Sequence, residues 1–283
     1  MFERNEKRWF AFGAAAFTAG FVALMALRRQ EPAKKDTASR EKPVRLETRE
    51  EENDRVIHSL VVAVAGSAYL LMGSGGGRKP APDHTTYWAR YVDWAITTPL
   101  LLLGLAGQAL GKPTRRTALV GGLLATDLYM IVTGYLADKP ARTDPMKWVW
   151  YTASSGAFVG LYYMLWGPLR DEAERTGPEA LSVYQRNAAF LSTVWAGYPL
   201  NFIVGPEGLG AIDEETSTAV YAGLDVTAKV LFGLYSLSNT QEKAARAIAE
   251  GRVPEHELRP ATRAFEERME PGSPEEGDTG RAR

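Results

Sequence analysis

Four ionisable residues stand well inside two of the long apolar stretches of this chain, the third and the seventh: Arg90, Asp93, Asp225 and Lys229. A charge at mid-bilayer depth costs about 2.5–3.5 kcal/mol on insertion scales, so each of them marks a candidate site. Asp225 and Lys229 are four residues apart and share one helix face. Arg90, Asp93, Trp94, Thr97 and Leu101 fall at i, i+3, i+4, i+7 and i+11 and share another. A lysine buried alone avoids desolvation by losing its proton, whereas two carboxylates beside it hold a positive charge in place. The set is either a structural ion-pair network between two helices or a site built around a held charge.

The elements that must carry these residues are apolar runs. The chain has 283 residues and a formal net charge of -1, and its mean hydropathy of -0.22 reads as that of a soluble protein. That average hides a segregation, because polar residues concentrate in 28–55 and 239–283. Between and before them lie seven runs of roughly the 20 residues that cross a bilayer, at 9–27, 56–74, 86–106, 117–136, 147–167, 188–205 and 216–238. The expected fold is an all-α membrane protein, a seven-transmembrane-helix bundle. No small-residue cleavage site follows the first run, which reads as a retained helix.

Lys and Arg set the orientation. The first connection carries Arg28, Arg29, Lys34, Lys35, Arg40, Lys42, Arg45, Arg49 and Arg55, and the third carries Lys112, Arg115 and Arg116. The sixth, from Pro206 to Glu215, holds Glu207, Asp213, Glu214 and Glu215 and no base. This places the N-terminus outside and the C-terminus in the cytoplasm. Four regions follow: an outer N-terminus with the first helix (1–27), a long charged cytoplasmic loop (28–55), helices two to seven (56–238), and a mobile cytoplasmic tail (239–283) with a short amphipathic helix at 241–250. The absence of cysteine excludes disulfides and thiolate metal sites. No metal site and no nucleic-acid-binding pattern stands out, and His84 and His256, in a loop and in the tail, read as solvated.

The run Tyr87-Trp88-Ala89-Arg90-Tyr91-Val92-Asp93-Trp94-Ala95-Ile96-Thr97-Thr98-Pro99-Leu100-Leu101 resembles the third helix of the microbial (type 1) rhodopsin family, in its bacteriorhodopsin-like proton-pump branch. Leu224-Asp225-Val226-Thr227-Ala228-Lys229-Val230 resembles the seventh helix, and Trp195-Ala196-Gly197-Tyr198-Pro199 the sixth. The likeness extends over 9–238 apart from most of the first loop. It implies all-trans retinal joined to Lys229 as a Schiff base, Asp93 as proton acceptor and Asp225 as second counterion, with Tyr69 and Tyr198 bonded to Asp225. Arg90 would link Asp93 to the outer surface, and Thr97 would bond Asp93. Trp94 and Trp195 would enclose the polyene, with Thr98, Leu101, Met130, Gly134, Tyr151, Ser154, Phe158, Pro199 and Phe202 completing the pocket. Leu101 implies green absorption. Asp127 is expected near the ring end, buried and protonated.

The departures narrow the function. Eleven residues after Asp93, where such pumps carry a carboxylic proton donor, stands Gly104, so the three motif positions read Asp93, Thr97 and Gly104. His58 falls at the position that bonds the donor in those pumps, and its ordinary titration lies nearest working pH. It is either a satisfied histidine near a helix end or a cytoplasmic proton relay, with Asp54 one turn away. Glu207 matches one glutamate of the outer release pair, but the second position is Ser217. The expected function is a light-driven outward proton pump, a transporter and not an enzyme, in a cell membrane and most simply a bacterial inner membrane. Expected partners are retinal, protons, the lipid bilayer and further copies in a homo-oligomer. The alternative is a photosensor signalling through a transducer. An aspartate acceptor argues against chloride transport, and Thr97 and Gly104 differ from the residues that mark sodium pumps.

Overall fold

The structure is a computed structural model, and it describes residues 4–27, 46–110, 116–253 and 258–260. Among these, seven helices form a closed bundle. They are α1 (Arg4–Ala26), α2 (Arg49–Gly73), α3 (Trp88–Leu110), α4 (Thr117–Asp138), α5 (145–176), α6 (178–204) and α7 (Glu214–Ala249). Each packs on its sequence neighbours, α1 closes the ring against α7, and α3 also touches α5 and α6. Two short antiparallel ladders join connections: β1 (Leu46–Thr48) pairs with β4 (Leu258–Pro260), and β2 (Lys79–Pro80) with β3 (Thr85–Thr86). Residues 28–45 of the long first loop and 254–257 and 261–283 of the tail, His256 included, lie outside the described residues.

Burial is inverted relative to a water-soluble protein. Leu70, Leu200, Val149, Val159 and Tyr163 face outward and exposed, while Arg90, Asp93, Asp225 and Lys229 are buried. Four helices meet the length and hydropathy of a membrane span on their own: Glu6–Ala26, Arg49–Gly73, Thr117–Asp138 and Glu214–Ala249. The other three, α3, α5 and α6, are richer in the polar and aromatic residues that line the interior. The chain is thus a seven-helix membrane protein.

Two helices run past their apolar spans. α2 begins at Arg49, seven residues before the apolar run, because Thr48 and Glu51 form a reciprocal capping box: the Thr48 hydroxyl accepts from Glu51 N–H and the Glu51 carboxylate from Thr48 N–H at 2.8 Å. α7 runs unbroken to Ala249, so the amphipathic segment expected separately near 241–250 is its last turns. Hydropathy reports where lipid begins, and capping reports where the helix does.

Four helices are irregular where they border the interior. Pro99 interrupts α3, α5 passes through a π turn at Leu165–Leu169 that contains Pro168, and α7 through another at Thr227–Leu231. Such π turns insert a residue into the i to i+4 ladder and often mark functional positions. α6 breaks at Ala196, between Pro178–Trp195 and Gly197–Val204. Gly197 lets α7 pack close there, since a Cβ on it would lie 2.6 Å from Leu224 Cδ2 and push that side chain aside.

Candidate functional site

Lys229 sits in the middle of the π turn of α7, fully buried, with Asp225 one turn before it. Its Nζ donates to Asp93 Oδ2 at 2.6 Å and to Asp225 Oδ1 at 2.7 Å, so α3 and α7 are joined through one ammonium shared by two carboxylates. Asp225 is held more firmly than Asp93. It also accepts from Tyr69 Oη at 2.7 Å, Trp94 Nε1 at 3.0 Å and Tyr198 Oη at 3.0 Å. Asp93 Oδ1 has no hydrogen-bond partner although it is buried. The Thr97 hydroxyl donates to the Asp93 backbone carbonyl at 2.8 Å. Asp225 is therefore anchored by neutral donors, and Asp93 keeps an oxygen free for a proton.

Tyr69 reaches Asp225 only because α1 is thinned opposite it. A Cβ on Gly13 would lie 2.2 Å from Tyr69 Cδ1, which leaves glycine as the residue that lets this ring in.

From Lys229 an apolar cavity opens toward α4 and α5. Trp94, Thr98, Leu101, Met130, Gly134, Tyr151, Ser154, Phe158, Trp195, Tyr198, Pro199 and Phe202 all line it. The pocket residues expected from the sequence lie together around it, and Tyr69, expected to bond Asp225, donates to that carboxylate. Tyr91, Ile131, Ser155, Tyr221 and Ala228 line it as well and were not foreseen; nothing in their types or spacing sets them apart from ordinary helix packing. The Thr98 hydroxyl donates to Asp127 Oδ2 at 2.7 Å, and Asp127 is fully buried beside the cavity wall.

Polar clusters flank this centre at both ends of the bundle. At the end that carries the first connection, Asp54 accepts from Ser236 Oγ at 3.1 Å and Thr240 Oγ1 at 3.2 Å. Gln108 Nε2 donates to Ser236 Oγ at 2.9 Å, Asn187 Nδ2 to Gln108 Oε1 at 2.9 Å, and Asn239 Nδ2 to Asn187 Oδ1 at 2.7 Å. His58 lies at the edge of this network, its Nε2 3.4 Å from Asp54 Oδ1 without a well-formed hydrogen bond. Gly233 makes room for it: a Cβ there would stand 3.2 Å from the imidazole. Around Gly104 space is free, since an added Cβ would meet only Ile57 Cγ2, at 3.9 Å.

At the opposite end Arg90 stacks over the Tyr221 ring, 4.1 Å from its centroid, and its Nη1 lies 3.9 Å from Glu207 Oε1. Glu207 is buried in the α6–α7 connection, and burial, with the negative charge of Asp138 adding to it, pushes its carboxyl up to about 7. Ser217 does not take the place of a second glutamate; Asn201 Nδ2 donates to its hydroxyl at 3.0 Å. His84 corrects the sequence reading. It is buried, not solvated, with Nε2 2.5 Å from Asp138 Oδ1, because the α2–α3 connection folds inward over the end of α4. Lys147, which the sequence leaves unremarked at the start of a span, is fully buried and donates to the Ala137 carbonyl at 2.9 Å.

Comparison with known proteins places the chain in a family. The family model described as "Bacteriorhodopsin-like protein" matches residues 4–242. Archaerhodopsin-2 of Halobacterium sp. (strain aus-2) is 39% identical over 183 residues, 63% of this chain and 69% of its own length. Bacteriorhodopsin-II of Haloarcula marismortui is 32% identical over 82% of this chain and 87% of its own. Among solved structures, the thermophilic rhodopsin from Rubrobacter xylanophilus superposes with a TM-score of 0.72 at 32% identity, covering 84% of this chain and 97% of that one. The light-driven proton pump rhodopsin of Coccomyxa subellipsoidea gives 0.68 at 26% identity over 84% and 97%. With the family model matching most of its length and the helix bundle superposing on solved rhodopsins, this chain belongs to the bacteriorhodopsin-like family.

Proposed function

We propose that this protein is a light-driven outward proton pump that carries all-trans retinal on Lys229. The observation that carries the reading is the position of Lys229 Nζ, between Asp93 and Asp225 at one end of an apolar, aromatic-walled cavity. A polyene fits those walls, and a lysine that ends in the same cavity supplies its point of attachment. When bound, retinal supplies a light-driven change of shape that displaces the proton-bearing nitrogen.

The chain's own residues then determine where the proton goes. Asp93, with one oxygen unpartnered and a lysine proton at the other, accepts it. Asp225 stays ionised because three neutral donors already fill its oxygens. Once Asp93 is neutral it no longer draws on Arg90, and the guanidinium is free to turn toward Glu207, whose carboxylate is 3.9 Å from it. On the other side Asp93, Thr97 and Gly104 form the motif of a pump without a carboxylic donor. His58, with Asp54 behind it, relays protons inward to the nitrogen across the free space beside Gly104. The basic first and third connections favour an N-terminus outside and a C-terminus in the cytoplasm, which makes the Asp54 end inner and the Glu207 end outer.

The test is illumination of an unbuffered suspension of cells expressing the chain with retinal. The medium is expected to acidify, and a protonophore to abolish the change. A protein that shows a visible band yet leaves the medium unchanged is a photosensor, and the pump reading fails.

A further inference from the structure

Lys147 is a buried cation that lies off the proton path. It is the third residue of α5 and fully buried. That place is costly twice over: a buried charge loses its hydration, and a cation in the first turn of a helix opposes the helix dipole. Its Nζ donates to the carbonyls of Ala137 at 2.9 Å and Asp138 at 3.4 Å, at the C-terminal end of α4. A helix end of that kind carries about half a negative charge, which holds the ammonium without cancelling it. The Asp138 carboxylate is engaged by His84 at 2.5 Å, and among the described residues no carboxylate forms an ion pair with Lys147. What Lys147 faces is the cavity. Its Nζ lies 5.7 Å from the centroid of the Phe202 ring. Phe202 stacks on Tyr151 with centroids 5.0 Å apart, and both rings line the cavity. Tyr151 is one turn along α5 from Lys147, a rise of about 6 Å. The charge thus stands one layer of aromatic rings behind the α5 wall, while Lys229 with Asp93 and Asp225 closes the side formed by α3 and α7.

We propose that Lys147 sets which wavelengths drive the site, by holding a fixed positive charge at the end of the chromophore remote from Lys229. The proposal rests on the reading that retinal is attached to Lys229. In a polyene with a positive nitrogen at one end, absorption shifts part of that positive charge toward the other end. A fixed cation there raises the energy of the excited state more than that of the ground state. Excitation then needs more energy, and the band lies at shorter wavelength than it would without Lys147. For an effective dielectric of about 20 and a separation of roughly 10 Å, the displacement of the band is on the order of 10 nm.

The experiment compares the visible absorption of the full chain as wild type, Lys147→Gln, Lys147→Met and Lys147→Arg, each purified from cells given all-trans retinal. Gln still donates to the α4 carbonyls and Met keeps the apolar length, and both lack the charge. Both are expected to absorb to the red of wild type by on the order of 10 nm, and Lys147→Arg to keep the wild-type band. The acid-induced colour change that reports protonation of Asp93 is expected to keep its midpoint in all three, which separates a charge at the far end from a disturbed counterion. With a retinal analogue saturated at the ring double bond the red shift is expected to shrink, because the displaced charge then stops short of Lys147. Neutral variants that match the wild-type maximum, or that shift only together with the acid midpoint, overturn the proposal. If neither neutral variant folds, 15N spectra of lysine-labelled wild type decide. Ammonium signals alone from the lysines other than Lys229 support the proposal, and a neutral amine among them overturns it. A wild type without a visible band overturns instead the attachment of retinal to Lys229.

Discussion

Asp54 and Glu207 are both buried carboxyls, one at each end of the same bundle, yet their surroundings differ in kind. Asp54 is surrounded by neutral donors, Ser236, Thr240 and Gln108, that continue through Asn187 to Asn239 without a charged residue among them. Glu207 is surrounded by charge, Arg90 on one side and the His84–Asp138 pair with Lys147 on the other, and several of these atoms are unpartnered. A network of satisfied neutral hydrogen bonds holds its geometry and exchanges little when a neighbour changes charge. A cluster of charges with unpaired atoms responds to any such change, since one unit charge moved by a few ångströms in a low dielectric is worth several kcal/mol. On the pump reading, the Asp54 end suits refilling and the Glu207 end suits a response to charge, and Lys229 lies between them.

The largest effect comes from removing the junction. Lys229→Ala deletes the nitrogen that both ends serve, so protein purified from cells given all-trans retinal is expected to show no visible band. A band of wild-type strength sinks the covalent attachment. Next in size is Asp93→Asn, which stops proton transfer toward the outer cluster while leaving the inner one untouched. Transport is expected to cease and the absorption maximum to shift to the red, because one of the two counterions is gone. Undiminished light-driven acidification in that variant contradicts the acceptor role.

Gly104→Glu sharpens the contrast by giving the inner end what it lacks, a titrating carboxyl beside the path. The space around Gly104 admits a side chain, with only Ile57 within 4 Å of an added Cβ. Recovery of the dark state after a flash is expected to accelerate at pH 9 by up to about 100-fold, the lower end of what a positioned general acid contributes. Unchanged recovery kinetics in a variant that binds retinal normally count against a proton route past residue 104.

How much of this was readable in the sequence depends on how locally each feature is encoded. Asp93, Asp225 and Lys229 are charges in apolar runs, and such a signal survives any uncertainty in packing. The pocket residues came from the resemblance and their placement is now visible, but the indole of Trp94, expected only as a wall, also donates to Asp225. Lys147 and His84 lie where a span meets a loop, and there the sequence does not say whether a connection folds over the bundle or away from it. Their burial depends on Asp138 and Ala137, which no short-range pattern links to them. The Asp54 network draws on α2, α3, α6 and α7 at separations of 49 to 186 residues, beyond the reach of any spacing rule. The start of α2 was legible in principle, since Thr48 and Glu51 are a capping box in sequence, and the hydropathy boundary obscured it.

The smallest effect tests the inner end from its own side chain. After the nitrogen of Lys229 has given up its proton, the replacement must come from the Asp54 side, past Gly104. Uptake directly through water makes the recovery rate roughly proportional to proton concentration, and so slow at alkaline pH. A buried imidazole that takes up a proton and passes it on blunts that dependence. His58 is placed for this: it is buried, its ring nitrogens are free of well-formed hydrogen bonds, and its Nε2 is 3.4 Å from the Asp54 carboxylate that would stabilise its charge on loading. His58→Ala is therefore expected to slow recovery by roughly tenfold, less than the loss of a full general acid because bulk water remains as a second route. The slope of rate against pH is expected to steepen between pH 6 and 9, and the dark colour to stay put, since Asp93 and Asp225 are unchanged. Asp54→Asn separates relay from packing: it keeps the hydrogen-bonding shape among Ser236, Thr240 and Gln108 but removes the charge, so it is expected to reproduce the steeper slope without disturbing the fold. Identical decay rates for wild type and His58→Ala across that range would assign refilling to water alone, and the neutral network around Asp54 would then be structural.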